Sequence, residues 1–137
     1  METLYRFELS FDGEQQGVGL LVGLRDALPV GPANNLIYTE FDTLPSPPPD
    51  QIPLGSQFWF RREGVVVCEQ AIDKAISLLK RRNWQVLVYT LETDLDYEVL
   101  VYDDAYQVAF SEDRTVYLEP LELKSMRHMK KEYNYEL

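Results

Sequence analysis

The chain lacks the residues on which several common functional sites depend. It contains one cysteine, Cys68, and one histidine, His128. A single cysteine excludes an intramolecular disulfide scaffold and a cysteine-rich zinc or iron–sulfur site, and it suits a reducing compartment such as the cytoplasm. A serine or cysteine nucleophile would need the lone imidazole of His128, which lies in a basic tail, so nucleophilic catalysis is disfavoured. Cys68 lies on an apolar helical stripe and is expected to be buried and inert.

Long apolar runs and phosphate-binding motifs are also missing. The longest weakly polar run, Gly17 to Leu24, is far shorter than the roughly 20 residues that span a bilayer. The opening METLYRFELSF has no secretory pattern, so neither export nor a membrane is expected. There is no Walker loop and no dinucleotide fingerprint. With 23 acidic against 13 basic residues and a net charge of -10, direct nucleic-acid binding through a broad basic surface is disfavoured.

The 137 residues fit one domain, 1–137, in which period-two patterns predict most of the strands. The first strand is Leu4 to Phe11, and a second is SQFWF. The remainder of the chain is strand-rich, with short connections that demand antiparallel neighbours. These later strands are WQVLVYTLE from Trp84, YEVLVYD from Tyr97, YQVAF from Tyr106 and TVYLEP from Thr115. LIYTEF, at 36–41, is either another short strand or an extended lid.

Helical spacing predicts one principal helix and one shorter helix. VGLLVGLRDAL favours the short helix, and Val66 to Arg82 favours the principal one. The basic triplet at 80–82 is interpreted as complementing the helix dipole rather than binding phosphate, with Asn83 as a cap. The apolar stripe of the principal helix consists of Ala71, Ile72, Ala75, Ile76 and Leu79. The predicted fold class is therefore α+β, a mainly antiparallel sheet with one principal amphipathic helix packed on it.

Two segments fall outside these patterns. The stretch 42–55 contains five prolines, which favour polyproline II and exclude the middle of a sheet. It is a partner-binding segment or a flap over a cleft, or else a stiff surface crossover, and the crossover is the favoured interpretation. The last piece, 121–137, is either a terminal helix or a frayed tail.

Charge is distributed unevenly along the chain. No Lys or Arg occurs between Asn83 and Asp113, where most of the net charge is concentrated. A strand through the alternating carboxylates at 94, 96 and 98 would place all three on one face, which suggests a divalent cation, but the spacing is not that of an EF-hand and no metal is predicted. The alternatives are a solvated acidic rim and a recognition surface for a basic partner. The candidate partner-binding residues are Glu92, Asp94, Asp96, Glu98, Asp103, Asp104, Glu112 and Asp113.

Several short motifs carry a resemblance to a known superfamily. The opening LYRFE, then GVGLLVGL, a central SQFWF leading through an REG step into a helix, and a late DDAYQVAF resemble small bacterial and phage proteins of the ADP-ribosyltransferase-like type. The resemblance spans Leu4 to Phe110 and implies a nicotinamide dinucleotide (NAD) as cofactor. It implies that Arg6 contacts the dinucleotide and that Ser56 shapes the pocket. Gln107 stands where the superfamily has a glutamate, and its neutral amide does not supply the negative charge that stabilises a ribose-centred cation.

Two functions from different classes follow. The first is a small acidic interaction module or inhibitor that binds a basic protein, such as one that handles nucleic acid, and it needs no cofactor. The second is an ADP-ribosyltransferase-like enzyme in which Arg6, Ser56 and Gln107 converge on one cleft. The charge segregation is present in the residues, whereas the glutamate of the enzyme is not evident, so the sequence favours the interaction module.

Overall fold

The structure, a computed structural model, describes residues 1–27, 35–45, 52–95 and 98–133. Within these ranges, seven strands form one sheet and helices cover one of its faces. The strands are β1 (Glu2–Phe11), β2 (Glu14–Gly19), β3 (Gln57–Phe60), β4 (Trp84–Thr93), β5 (Leu100–Asp103), β6 (Gln107–Phe110) and β7 (Leu121–Leu123). The helices are α1 (Leu20–Ala27), α2 (Asn35–Phe41), α3 (Arg62–Val67), α4 (Glu69–Lys80) and α5 (Met126–Glu132). The predicted α+β class is confirmed.

The sheet is antiparallel at every strand pair in the order β5-β6-β3-β1-β4-β7, with β2 also paired to β1. One edge of β1 pairs with β4 along its whole length. The other edge changes partner: near its start Tyr5 pairs with Phe60 of β3, and further along Glu8 pairs with Gly19 of β2. The sheet therefore has a fork beside the middle of β1.

The helical face of the sheet carries the larger core. Alternation along β1 places Tyr5, Phe7 and Leu9 on this face, where they are buried. The predicted stripe of the principal helix packs against them, and all five of its members are buried: Ala71, Ile72, Ala75, Ile76 and Leu79. This central expectation of the sequence is confirmed, as is the burial of Cys68.

The opposite face, which we call the second face, carries a smaller core of five buried residues: Leu4, Trp59, Tyr89, Val108 and Phe110. No helix of the described residues contributes to this core. Instead, loop residues pack on it, namely Leu95 and Val99 from the connection between β4 and β5, and Leu118 from the segment after β6. The second face is thus covered by two loops that the sheet itself holds in place.

The principal helix is divided in two, contrary to the prediction of one helix from Val66 to Arg82. Cys68, with φ -99° and ψ 10°, interrupts it between α3 and α4. The side chain of Glu40 on α2 accepts a hydrogen bond from the amide of Ala71, in the first turn of α4, at 3.1 Å. Glu40 thus satisfies one of the free amides of the first turn. At the other end Asn83 adopts φ 63°, as expected for a residue that ends a helix.

Two other expectations are wrong at the level of the element, and the predicted short helix is confirmed as α1 with a later start. LIYTEF is the helix α2, because Ile37 and Phe41 are buried four residues apart. TVYLEP is not a strand: its Leu118 amide bonds back to Thr115 at 2.9 Å in a turn, and the strand comes later, as β7. The predicted short helix loses its first two residues to β2 and starts at Leu20.

The C-terminal segment forms the terminal helix that was one of its two predicted states. Ser125 caps α5 by accepting from the amide of His128 at 3.1 Å. Asp73 of α4 accepts from the amide of Met126 at 2.9 Å, and Lys130 forms an ion pair with Glu69. Part of the proline-rich segment, 46–51, lies outside the described residues, as do 134–137. No described helix is long and apolar enough to cross a membrane.

Candidate functional site

The three residues that the resemblance singles out do not meet. Tyr5 pairs with Phe60, and Phe60 with Gln107, so these side chains share the helical face. Alternation along β1 then places Arg6 on the second face. Ser56 precedes β3, and its hydroxyl donates to a backbone carbonyl oxygen three residues earlier. The structure therefore does not bring Arg6 and Gln107 into one cleft, and a part for any of the three in catalysis stays a prediction.

Arg6 instead closes the fork in the sheet. Its Nε donates to Glu8 Oε2 at 2.6 Å and its Nη1 to the carbonyl oxygen of Phe58 at 2.9 Å. A Cβ at Gly19 would approach the guanidinium to 3.3 Å, so Arg6 lies directly against the backbone of β2. The Arg6 and Glu8 side chains are only 12% and 7% exposed. Removing either partner would leave a buried charge unpaired, which is strongly destabilising, so this pair has a structural part.

Tyr89 faces this pair across β1 and β4. Burial first, and then the Glu8 carboxylate, raise the pKa of the Tyr89 phenol above its usual value. The phenol therefore stays protonated at neutral pH and acts there as a hydrogen-bonding group rather than as a base.

Two of the predicted partner-binding carboxylates hold turns together. Asp104 Oδ1 accepts from the amides of Tyr106 and Gln107, both at 2.7 Å. Asp113 Oδ1 accepts from the amide of Thr115 at 2.8 Å and from its hydroxyl at 2.6 Å. The Thr115 hydroxyl is the main reason that the pKa of Asp113 lies below its usual value. Asx turns of this kind are an ordinary use of aspartate, so both residues stabilise the fold around the site.

Arg61, at the end of β3, supplies a cation that the local sequence lacks. Its guanidinium forms ion pairs with Glu2 and Asp103, and its Nε donates to the carbonyl oxygen of Asp104 at 2.7 Å. Burial lowers the pKa of Arg61, but the hydrogen bonds that its guanidinium donates to Asp103 and Glu2, together with their negative charge, outweigh that effect and raise the pKa. The acidic segment is therefore not a group of carboxylates without a cation, as the sequence implied.

Arg114 is a second cation of this region. Its Nη1 lies 3.4 Å from Glu112 Oε1, and its guanidinium carbon lies 5.2 Å from the centre of the Phe110 ring. The arginine side chain is 21% exposed, whereas that of Glu112 is 56% exposed. Glu112 consequently keeps a solvent-facing carboxylate even though it has a partner.

The strand that would align carboxylates at 94, 96 and 98 does not form. β4 ends at Thr93, and Leu95 has φ 61°, which turns the chain. Asp96 lies outside the described residues, and the described part of the chain contains no group of His, Cys, Asp and Glu arranged to hold a metal ion. Glu92 is exposed on β4, but alternation from buried Val88 places it on the helical side of the sheet. The eight predicted residues thus do not form one continuous surface.

What remains is a smaller set of exposed carboxylates on the two loops that cover the second face. We call this set the acidic face: Asp94, Glu98, Glu112 and Glu119. Asp94 is 86% exposed and lies 3.5 Å from the N-terminal ammonium. The apolar residues next to these carboxylates, Leu95, Val99 and Leu118, pack on the second-face core and fix the loops. Exposed charges on an anchored scaffold are suited to attracting an oppositely charged macromolecule.

Sequence reasoning missed Glu119 and the solvent-facing pair Val116 and Tyr117. Their segment was interpreted as a strand because it is rich in β-branched and aromatic residues, whereas Val116 is 65% exposed and Tyr117 97% exposed. One signal was available: Asp113 stands two residues before Thr115, the spacing of an Asx turn.

Comparisons with protein-family models, with curated proteins and with solved structures gave no significant match.

Proposed function

We propose that the protein is a small acidic interaction module that binds a basic protein partner through the acidic face. The observation that carries this proposal is that the acidic face is exposed, whereas the described arginines on the same side of the sheet are all held in ion pairs. On the sheet side Arg6, Arg61 and Arg114 are all engaged in ion pairs with carboxylates. Among the described residues, the exposed cations of the helical layer are Arg62 on α3, Lys74, Lys80, Arg81 and Arg82 on or just after α4, and Lys124, Arg127 and Lys131 just before or on α5; this layer also carries the exposed carboxylates Glu63, Asp73 and Glu132.

This arrangement supports binding more than catalysis. Exposed carboxylates on a low-dielectric scaffold raise the local concentration of cationic partners and speed their association. A protein that handles nucleic acid presents such a cationic surface, since it must neutralise phosphates. Occupying that surface would make the module an inhibitor. The expected compartment is the reducing cytoplasm. Burial raises the pKa of the Cys68 thiol to about 12, so this thiol stays protonated at neutral pH.

The test compares two variants that remove equal charge from different places. The acidic-face variant carries Asp94→Asn, Glu112→Gln and Glu119→Gln. The control variant carries Asp12→Asn, Glu14→Gln and Asp42→Asn, which are exposed positions away from the two loops. The probe is an alternating Lys-Ser peptide whose association rate is measured by stopped flow at low and raised salt.

We expect the acidic-face variant to associate about fivefold more slowly at low salt, since three charges each acting over about 8 Å of water contribute about 1 kcal/mol together after screening. The control variant should change the rate by less than about twofold, because its charges lie outside the contact region. In capture from a native lysate, the partner should be lost by the first variant and kept by the control. Equal slowing in both variants would contradict the proposal, because net charge alone would then account for the binding.

A further inference from the structure

Two exposed apolar side chains lie on the loop after β6, between Glu112 and Glu119 of the acidic face. They belong to the turn Thr115–Leu118, which is closed by the hydrogen bond from the Leu118 amide to the Thr115 carbonyl oxygen at 2.9 Å. Val116 is 65% exposed and Tyr117 97% exposed, whereas Leu118 packs inward on the second-face core. The turn is therefore anchored at one residue while it presents the two preceding ones.

The same turn is fastened to β3 from the other side. Gln57 Nε2 donates to Asp113 Oδ1 at 2.9 Å, and Gln57 Oε1 accepts from the amide of Arg114 at 2.9 Å. Asp113 in turn holds Thr115 through two hydrogen bonds. A contact held in its bound shape loses little conformational entropy on binding, and so it contributes more of its burial to affinity.

The chemistry around the turn selects the kind of partner. An exposed tyrosine is a frequent anchor of protein interfaces because it buries a large ring and still offers a hydroxyl. Glu112 and Glu119 flank this tyrosine in the sequence and are both exposed. A surface that combines apolar side chains with carboxylates complements one that combines aliphatic side chains with Lys or Arg.

We propose that Val116 and Tyr117 are the apolar anchor of the acidic face and that the partner's contact segment is amphipathic as well as cationic. This inference rests on the proposed function and names the chemistry of its partner. The carboxylates set the association rate of the partner, and the apolar anchor sets its dissociation rate.

The test uses two peptides of equal length and charge, one alternating Lys and Ser and the other alternating Lys and Leu. Their dissociation constants and dissociation rates are measured for the wild type and for Tyr117→Ser. A matched control is Val66→Ser, because Val66 is 43% exposed on α3, in the helical layer. Thermal melting confirms that each variant is folded, which is expected of Tyr117→Ser since that side chain has almost no contacts to lose.

The wild type should bind the Lys-Leu peptide about tenfold more tightly than the Lys-Ser peptide, as expected for burial of much of a tyrosine ring. Tyr117→Ser should remove this preference, because the Lys-Leu peptide should dissociate faster from the variant while binding of the Lys-Ser peptide stays unchanged. Val66→Ser should keep the preference for the Lys-Leu peptide. If both peptides bind equally, or if Tyr117→Ser keeps the preference, the anchor is wrong while the acidic face stands. If neither peptide binds at low salt, the proposed function and the anchor are both overturned.

Discussion

Arg61→Met removes the cation that links the end of β3 to Glu2 on β1 and to Asp103 and Asp104 at the end of β5. Methionine keeps the length and apolar contacts of the side chain but none of its donors. The substitution breaks the ion pairs with Glu2 and Asp103 and leaves the carbonyl oxygen of Asp104 without its side-chain donor. The substitution therefore tests how much Arg61 stabilises the fold, while every carboxylate of the acidic face stays in place.

The size of the effect follows from the exposure of the partners. The Glu2 and Asp103 side chains are 33% and 44% exposed, so each ion pair is discounted for solvent and contributes about 0.5 kcal/mol. The hydrogen bond to the Asp104 carbonyl oxygen is partly buried and contributes about 1 kcal/mol. The sum of about 2 kcal/mol corresponds to a fall in Tm of roughly 6–10 °C for a domain of this size.

The assay is thermal unfolding at low and raised salt, with Arg127→Met as the control for loss of one exposed cation. Raised salt should reduce the difference in Tm between Arg61→Met and the wild type, because salt screens the ion pairs but not the hydrogen bond. Arg127→Met should melt within about 2 °C of the wild type, as expected for a surface substitution. If Arg61→Met also melted within about 2 °C of the wild type, the stabilising role assigned to the ion pairs and hydrogen bond of Arg61 would be wrong.

Two further predictions concern the core and the turn. Ile76→Asp places a carboxylate on the buried stripe of α4, where Ile76 is 3% exposed. This substitution should lower the free energy of unfolding by several kcal/mol. Melting within a degree or two of the wild type would contradict the assigned core face. For the turn, Thr115→Val removes the hydroxyl that is the main cause of the lowered pKa of Asp113. The pKa measured by NMR titration should rise toward its usual value. Because the folded pKa of Asp113 is depressed, its contribution to stability is present above the unfolded pKa near 4. That contribution is lost as pH falls through the folded value, so the variant should lose less stability on acidification. An unchanged Asp113 pKa in Thr115→Val would refute this assignment.

The elements that the sequence predicted well are those in which local pattern and burial agree. β1 and β4 alternate in the period of a strand, and the α4 stripe repeats in the period of a helix, so each pattern matched the face that became buried. LIYTEF was misassigned because a short apolar segment fits either period. The four-residue spacing of Ile37 and Phe41 indicates a helix only once both side chains are known to be buried in the core on the helical face.

The candidate site was harder to predict because its contacts join distant parts of the chain. The absence of Lys and Arg from Asn83 to Asp113 is a true local fact, but Arg61 enters this region from 42 residues before Asp103. The fork that Arg6 closes likewise depends on which strands pair with β1. Such pairings come from topology, which neither composition nor periodicity encodes.

The central claim is that the acidic face, and not the negative charge of the whole chain, is the contact surface. The most direct measurement is an NMR titration of the labelled protein with the alternating Lys-Ser peptide, following every backbone amide. The account predicts the largest chemical-shift changes at the loops that carry Asp94, Glu98, Glu112 and Glu119, with small changes at Asp12 and Glu14, which are also exposed. Shifts distributed evenly over all exposed carboxylates, or concentrated at Asp12 and Glu14, would contradict it.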